Sequence, residues 1–258
     1  MSPNDLSFDG KVAIITGSGR PNGIGGAIAV ALADRGAYVT LNYVSDSSAP
    51  RAAELAESIR AKGGKATVVR GDVGDPEVAK QLVKETLAAF NTDKIDIVIN
   101  NAAVAPMTPT VEVTPEELST VFGTNVRGPL YLVQAALPHM PRGGRIINIS
   151  TCLSRLGLHS PVYTASKAAL DSLTFTWALE FGRKFGITVN AIAPGLTKTE
   201  IIPPADHPEV LRLLSMTRVE GRMGTPDEIA DAVVFIASPM SRWVTGQYIS
   251  VSGGVNWI

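Results

Sequence analysis

Cysteine is nearly absent from this sequence, with one residue, Cys152, among 258. A single thiol excludes an intramolecular disulfide framework and a cysteine-rich metal centre. Cys152 itself reads as a small buried residue rather than a nucleophile. Histidine is almost as scarce, and His139, His159 and His207 are scattered without ligand spacing, so no metal is expected. His159 reads as a loop histidine. An excess of one charge is missing too. The 23 basic and 24 acidic residues leave a net charge of −1, which argues against a nucleic-acid or anionic-membrane partner held by bulk electrostatics. No apolar run approaches the ~18 residues of a membrane span. The first ten residues carry two acids and no apolar stretch, so no secretory signal is expected and the chain reads as cytoplasmic. Repeats, low-complexity tracts and linkers are lacking, which points to one domain over residues 1–258.

What is present is alternation. Short β-branched runs at Val12–Thr16, Tyr38–Asn42, Ala66–Val69, Ile95–Ile99, Arg145–Ile149, Ile187–Ile192 and Tyr248–Val251 read as strands. Several have almost no polar alternation, as strands buried on both faces of a parallel sheet require. Between them lie helical segments at about 24–35, 51–62, 76–90, 115–139, 161–185 and 226–237. Strand alternating with helix predicts an α/β fold: a single-domain, Rossmann-like, doubly wound parallel sheet of about seven strands with helices on both faces. The Pro-rich stretch Ile201–Pro208 reads as a loop, within a substrate-loop region at about 196–224.

The first strand is followed by Thr16-Gly17-Ser18-Gly19-Arg20-Pro21-Asn22-Gly23-Ile24-Gly25 and an apolar helix. Glycines let the backbone approach a pyrophosphate, and a helix N-terminus offers free N–H groups and a positive dipole end. In this context the turn predicts a dinucleotide site. The second strand ends in Leu41-Asn42-Tyr43, a neutral amide where an acid would otherwise meet the ribose 2′-hydroxyl. With Arg20 able to reach the same corner, the expected cofactor is NADP(H).

Tyr163 and Lys167 are four apart, on one face of a long helix. Ser160-Pro161 reads as an N-cap followed by proline at the first helical position, which puts Tyr163 in the first turn. A phenol has an unperturbed pKa near ~10. A neighbouring ammonium and the positive helix end are expected to lower it, making a general acid/base near neutral pH. Upstream, Ser150 and Thr151 close a strand at the carboxyl edge of the sheet, where ligands sit in open α/β folds. Asn125 is a polar residue inside a mostly apolar helical stretch.

From about Lys11 to Gly254 the chain resembles the short-chain dehydrogenase/reductases of the Tyr-xxx-Lys branch. Thr16-Gly17 with Gly23-Ile24-Gly25 is similar to that family's cofactor loop. Asp72-Val73 resembles its adenine contact and Asn100-Asn101-Ala102 its Asn-Asn-Ala-Gly element. Asn125, Ser150/Thr151, Tyr163 and Lys167 resemble its catalytic tetrad. Pro194-Gly195 with Thr199 resembles its nicotinamide-carboxamide segment. The resemblance implies an NADP(H)-dependent enzyme that reduces the ketone of a small carbonyl/alcohol substrate. Tyr163 would act as general acid, a hydroxyl from Ser150 or Thr151 would hold the oxygen, and Lys167 would lower the tyrosine pKa. Asn125 would position a relay water. It also implies a homotetramer or dimer; Ala168, Ala169, Leu173, Phe175, Trp177, Leu179 and Phe181 give the long helix more apolar area than one sheet face covers. Apolar residues of the substrate loop, including Ile201, Ile202, Leu211, Leu213, Leu214 and Met216, point to an apolar substrate.

The chain departs from the family at three places. Five residues, Ser18 to Asn22, stand where the cofactor loop usually has three. Ala103 and Ser252 replace a glycine and an aspartate. A lengthened loop also occurs in enoyl reductases, which leaves that activity, or a non-catalytic dinucleotide sensor, as alternatives. Enoyl reductases, however, separate their tyrosine and lysine by six residues. For the working hydroxyl, counting thirteen back from the tyrosine gives Ser150, whereas Asn148-Ile149-Ser150-Thr151 aligned with the family's Asn-Ile-Ser-Ser gives Thr151. The ladder fixes a strand's register more firmly than a loop fixes its length, so Thr151 is the expected one.

Overall fold

Four consecutive apolar residues, Val12–Ile15, form the first strand, β1, and all are buried. Ala13 and Ile15 join one apolar layer and Ile14 the other, as the two-residue side-chain period dictates. Burial on both sides is what a parallel strand between two helical layers requires. A computed structural model describes residues 6–156, 160–200 and 207–255 and continues this pattern along the chain. After β1 come α1 (Ile24–Ala33), β2 (Tyr38–Tyr43), α2 (Ala49–Ala61), β3 (Lys65–Arg70), α3 (Pro76–Phe90) and β4 (Ile97–Asn100). Then follow α4 (Pro115–Phe122), α5 (Gly128–Ala136), β5 (Arg145–Ile149), α6 (Pro161–Phe185) and β6 (Thr188–Pro194). The last are α7 (Pro208–Leu214), α8 (Pro226–Ala237) and β7 (Tyr248–Val251).

All neighbouring strands run parallel, in the order β3-β2-β1-β4-β5-β6-β7. The apolar sides of α1, α2 and α8 close one face, and those of α3, α5 and α6 close the other. The chain winds outward from β1 to β3, then crosses to β4 on the other side of β1. The crevice for a ligand therefore opens at the carboxyl ends of β1 and β4.

Local signals explain the sharp boundaries. Asp75 caps α3 by accepting from the Glu77 N–H at 2.9 Å, Pro76 follows, and Asn91 ends the helix in the left-handed region. Thr225 and Glu228 form a reciprocal capping box at α8. Three expectations change. The single helix at 115–139 is broken into α4, a π-turn over Gly123–Arg127, α5 and a 3₁₀ turn over Leu137–His139. Pro129 has no N–H for the carbonyl of Asn125, and Gly128 N–H reaches back instead to Gly123, one residue further than in an α-helix. Within the expected substrate loop, residues 208–214 form α7. Ser160 is left-handed (φ 84°) and does not cap α6 by its side chain; its hydroxyl donates to the Pro106 carbonyl. His159 and residues 201–206 of the Pro-rich stretch lie outside the described residues.

Candidate active site

The glycine turn sits where the crevice opens. A Cβ on Gly17 would lie 2.7 Å from the Ala102 Cα, and one on Gly25 would lie 2.8 Å from the Gly17 carbonyl oxygen. A Cβ on Gly19 would meet the Tyr43 Cβ at 2.6 Å. Only a backbone without side chains packs this closely. Gly23, the N-cap of α1, brings no side-chain cap, and the first turn of α1 has no acid, unlike the capped α3, α4 and α8. The free N–H groups and positive dipole end fit a pyrophosphate. Asn101 braces the turn from β4, its amide donating to Thr16 and Gly17 carbonyls at 2.8 and 3.0 Å.

Asn42 requires a correction. Its side chain does not face the ribose corner but is fully buried as a staple. Its Oδ1 accepts from Gly17 N–H at 3.2 Å, and its Nδ2 donates to the Gly71 carbonyl at 3.0 Å. It therefore ties the ends of β1, β2 and β3 together. Exposed groups around the end of β2 are instead Arg20, which has no side-chain partner among the described residues, the Asp46–Arg70 ion pair, and the hydroxyls of Ser47 and Ser48 bonded to that of Ser45. Tyr43 supports the turn at Gly19. Asp72 is exposed and accepts from Gly74 N–H, whereas the Val73 side chain belongs to the core, so that only its backbone is offered to a ligand. Pro194 ends β6, Gly195 donates to Val251 at 3.0 Å, and Thr199 is half-buried on the following segment.

The strand-end hydroxyls separate cleanly. The ladder continues one residue past β5, with Ser150 N–H donating to Ile192 at 2.7 Å, and so does the side-chain alternation. Asn148 meets Thr174 of α6 at 2.9 Å, and Ser150 faces Asp171 one turn earlier on the same helix. The Ser150 hydroxyl makes no bond of good geometry. Thr151 leaves the ladder; its Oγ1 accepts from Leu153 N–H at 3.2 Å, and its side chain faces the Tyr163 phenol. Lys167 is buried, and its Nζ donates to the Ile149 carbonyl at 2.7 Å, 5.9 Å from the centre of the Tyr163 ring. Tyr163, Lys167, Thr151 and the glycine turn thus share the carboxyl edge.

Asn125 lies in the π-turn with its side chain spent. Its Oδ1 accepts from Val104 N–H at 2.9 Å, and its Nδ2 donates to Val104 O and Ser166 Oγ, both at 2.9 Å. It clamps the segment after β4 to α6. What Asn125 can offer a water is its carbonyl, which Pro129 leaves without an i+4 donor.

The electrostatics also depart from expectation. Burial pushes the Tyr163 phenol up to about 12, outweighing the opposing pull of the Thr151 hydroxyl. Burial brings Lys167 down to about 8 against the pull of Asp171. Cys152 is pushed up to about 11 by burial, which keeps it a neutral thiol. Sequence reasoning missed Ser166, Asp171 and Tyr248. Asp171 could have been found, since it follows Lys167 by four on one helical face. Tyr248, whose hydroxyl donates to the Thr151 carbonyl at 3.1 Å, comes from a strand 97 residues away and carries no local signal.

The sequence matches the family described as Enoyl-(Acyl carrier protein) reductase over residues 17–256. It is 40% identical to versicolorin reductase 1 of Aspergillus parasiticus, over 98% of this chain and 99% of that protein. A blue fluorescent protein from a metagenomic library, solved in complex with NADPH, superposes with a TM-score of 0.91 at 37% identity, over 97% of this chain and 100% of that one. The angucycline C-6 ketoreductase LanV, solved with bound NADP, gives 0.88 at 38% identity, over 97% and 96% of the two chains. Likeness of this extent in sequence and fold makes the chain a member of the short-chain dehydrogenase/reductase family, and an oxidoreductase.

Proposed function

We propose that this protein reduces a ketone with NADPH, Tyr163 serving as the proton donor. The observation that carries the reading is the meeting of Thr151, Tyr163 and the buried Lys167 at the carboxyl edge of the sheet, with the Lys167 Nζ 5.9 Å from the centre of the Tyr163 ring and bonded to the Ile149 carbonyl. The likeness to LanV with bound NADP and to versicolorin reductase 1 supports it. NADPH, when bound, supplies the hydride. The glycine turn and the first turn of α1 would hold its pyrophosphate, and Arg20 its 2′-phosphate. Asp72 would meet the adenine, and Pro194, Gly195 and Thr199 the nicotinamide end. The Thr151 hydroxyl orients the carbonyl oxygen. Tyr163 gives that oxygen its proton, and the Lys167 ammonium stabilises the phenolate left behind. A phenol at about 12 enters the step protonated at neutral pH, the state reduction needs. The Asn125 carbonyl would hold a water that returns the proton toward Lys167.

Exposed Val104 and Met107, on the segment after β4, support an apolar substrate. Phe175 and Leu179 stand exposed on α6, and Trp243, 96% exposed, lies before β7; these faces support a homotetramer. Trp177 and Phe181 drop out of that argument because both are buried in the chain's own core. The single buried thiol agrees with a cytoplasmic location. An enoyl reduction is the second reading, favoured by the description of the matching family and the long glycine loop. Following NADPH consumption with aromatic and aliphatic ketones against conjugated enones tests both. Turnover of ketones alone is expected; turnover of enones alone, or none on either panel, would overturn the reading.

A further inference from the structure

Asp171 is the one carboxylate buried in the interior of α6, at 5% exposure. Its Oδ2 accepts from Ser154 Oγ at 2.9 Å, and its Oδ1 has no partner of good geometry. The same Ser154 hydroxyl lies 2.9 Å from the Thr151 carbonyl, which also receives the Tyr248 hydroxyl at 3.1 Å. Tyr248 is held in turn under the Arg155 guanidinium, 3.7 Å from its ring centre. Ser154 has one proton to give, which goes either to the Asp171 carboxylate or to the Thr151 carbonyl, so the firm tether on Thr151 is the Tyr248 hydroxyl from β7. A buried carboxylate is costly where an amide could accept the same hydrogen bond. Such a carboxylate calls for positive charge to answer it: Arg155, on the segment after β5, and Lys167, one helical turn earlier on α6, both draw it down.

We infer that Asp171 is a positioning residue of the active site, its buried carboxylate serving as the counter-charge of Lys167 one helical turn away. The catalytic half of this inference rests on the ketone-reductase reading; the electrostatic half does not. The charged and titratable groups around the pair are Tyr163 on α6 and Cys152 and Arg155 on the segment after β5. Burial raises the Asp171 carboxyl, while Ser150, Ser154, Arg155 and Lys167 pull it down. Burial lowers Lys167 to about 8, and Asp171 opposes it. Below pH 8 the ammonium is present and the attraction contributes fully; above it the attraction is lost with the proton.

The test is a double-mutant cycle of Asp171→Asn and Lys167→Met, melted at pH 7 and pH 9.5 without substrate or nucleotide. Asp171→Asn is expected to lower Tm at pH 7, with at least half of the gap vanishing at pH 9.5 and in the Lys167→Met background. A gap equal at both pH values and in both backgrounds would overturn the counter-charge and leave Asp171 a hydrogen-bond acceptor alone. If Asp171→Asn does not fold, the double variant decides: a folded double supports the inference, and an unfolded double beside a folded Lys167→Met overturns it. In turnover, the alkaline limb of kcat for Asp171→Asn should move about one pH unit lower, roughly tenfold less activity at pH 9, with Asp171→Glu restoring it. An unmoved limb overturns the catalytic half. A wild type inert toward ketones would sink the reductase reading while the melting cycle still returned its answer.

Discussion

The Thr151 side chain faces the Tyr163 phenol, while its neighbour Ser150 continues the strand's alternation and turns toward Asp171. Adjacent hydroxyls on one strand end therefore do different work. Thr151→Ala is expected to lower kcat by about 10²–10³, the scale of one lost oxyanion-type donor. Thr151→Ser should keep most activity, and Ser150→Ala should stay within roughly tenfold. Steady-state kinetics on the three variants check this; a dead Ser150→Ala enzyme would reverse the assignment.

Asn42→Asp should disturb nucleotide binding without discriminating between nucleotides. A carboxylate there would face the carbonyls to which the amide now donates, at Gly71 and Val69. The expected cost is about 1–3 kcal/mol of stability, the scale of a buried polar group losing its donor role. NADPH and NADH should weaken in parallel, as read from Kd by fluorescence titration. A loss confined to NADPH would return Asn42 to the ribose corner.

Arg20→Gln should do the opposite. The exposed side chain supports nothing in the fold, so melting temperature should hold while kcat/KM for NADPH falls about ten- to a hundredfold. The value for NADH should barely change. Equal losses for both nucleotides would count against a 2′-phosphate contact.

Lys167 gives the protein a pH signature in the absence of any ligand. Its folded pKa, about 8, lies below the ordinary 10.5, so between those values the unfolded chain binds more protons than the native one. Stability must therefore rise with pH across that window and carry the full penalty below it. The amplitude is on the order of 3 kcal/mol, and Lys167→Met should abolish it. Urea denaturation from pH 7 to 10.5 provides the measurement, and a slope surviving the substitution would assign it to another group.

Light scattering at micromolar concentration should give four copies of the chain. Leu179→Glu and Trp243→Glu should each reduce the mass while leaving the monomer folded, since both side chains are exposed in the single chain. A wild-type monomer would refute the assembly.

The inner strands were legible because two-sided burial leaves little polar in them, the half-buried edge strands β3 and β7 through their β-branched residues, and proline-led helix starts at 76, 161 and 226 marked their own boundaries. What escaped was decided by distant contacts. The helical period at 115–139 gave no sign that Pro129 would open a π-turn around Asn125. Asn42 looked like a ligand contact because only the folded sheet brings Gly17 and Gly71 to its amide. The tyrosine pKa was read from the neighbouring ammonium and the helix end, whereas burial, which depends on the whole packed edge, moves it the other way.

Thr16 Oγ1 accepts from the backbone N–H groups of Asn101 and Ala102, 85 and 86 residues further on. The dinucleotide turn therefore cannot take its final shape as the first βαβ unit leaves the ribosome. It must wait until β4 has been synthesised and has inserted beside β1, a non-local pairing whose closure entropy precedes its reward. A nascent chain that ends before β4 holds the glycines but not the cradle. Nucleotide capture is thus a report that the two halves of the sheet have joined, and free nucleotide in the cell would draw late folding intermediates toward completion by mass action.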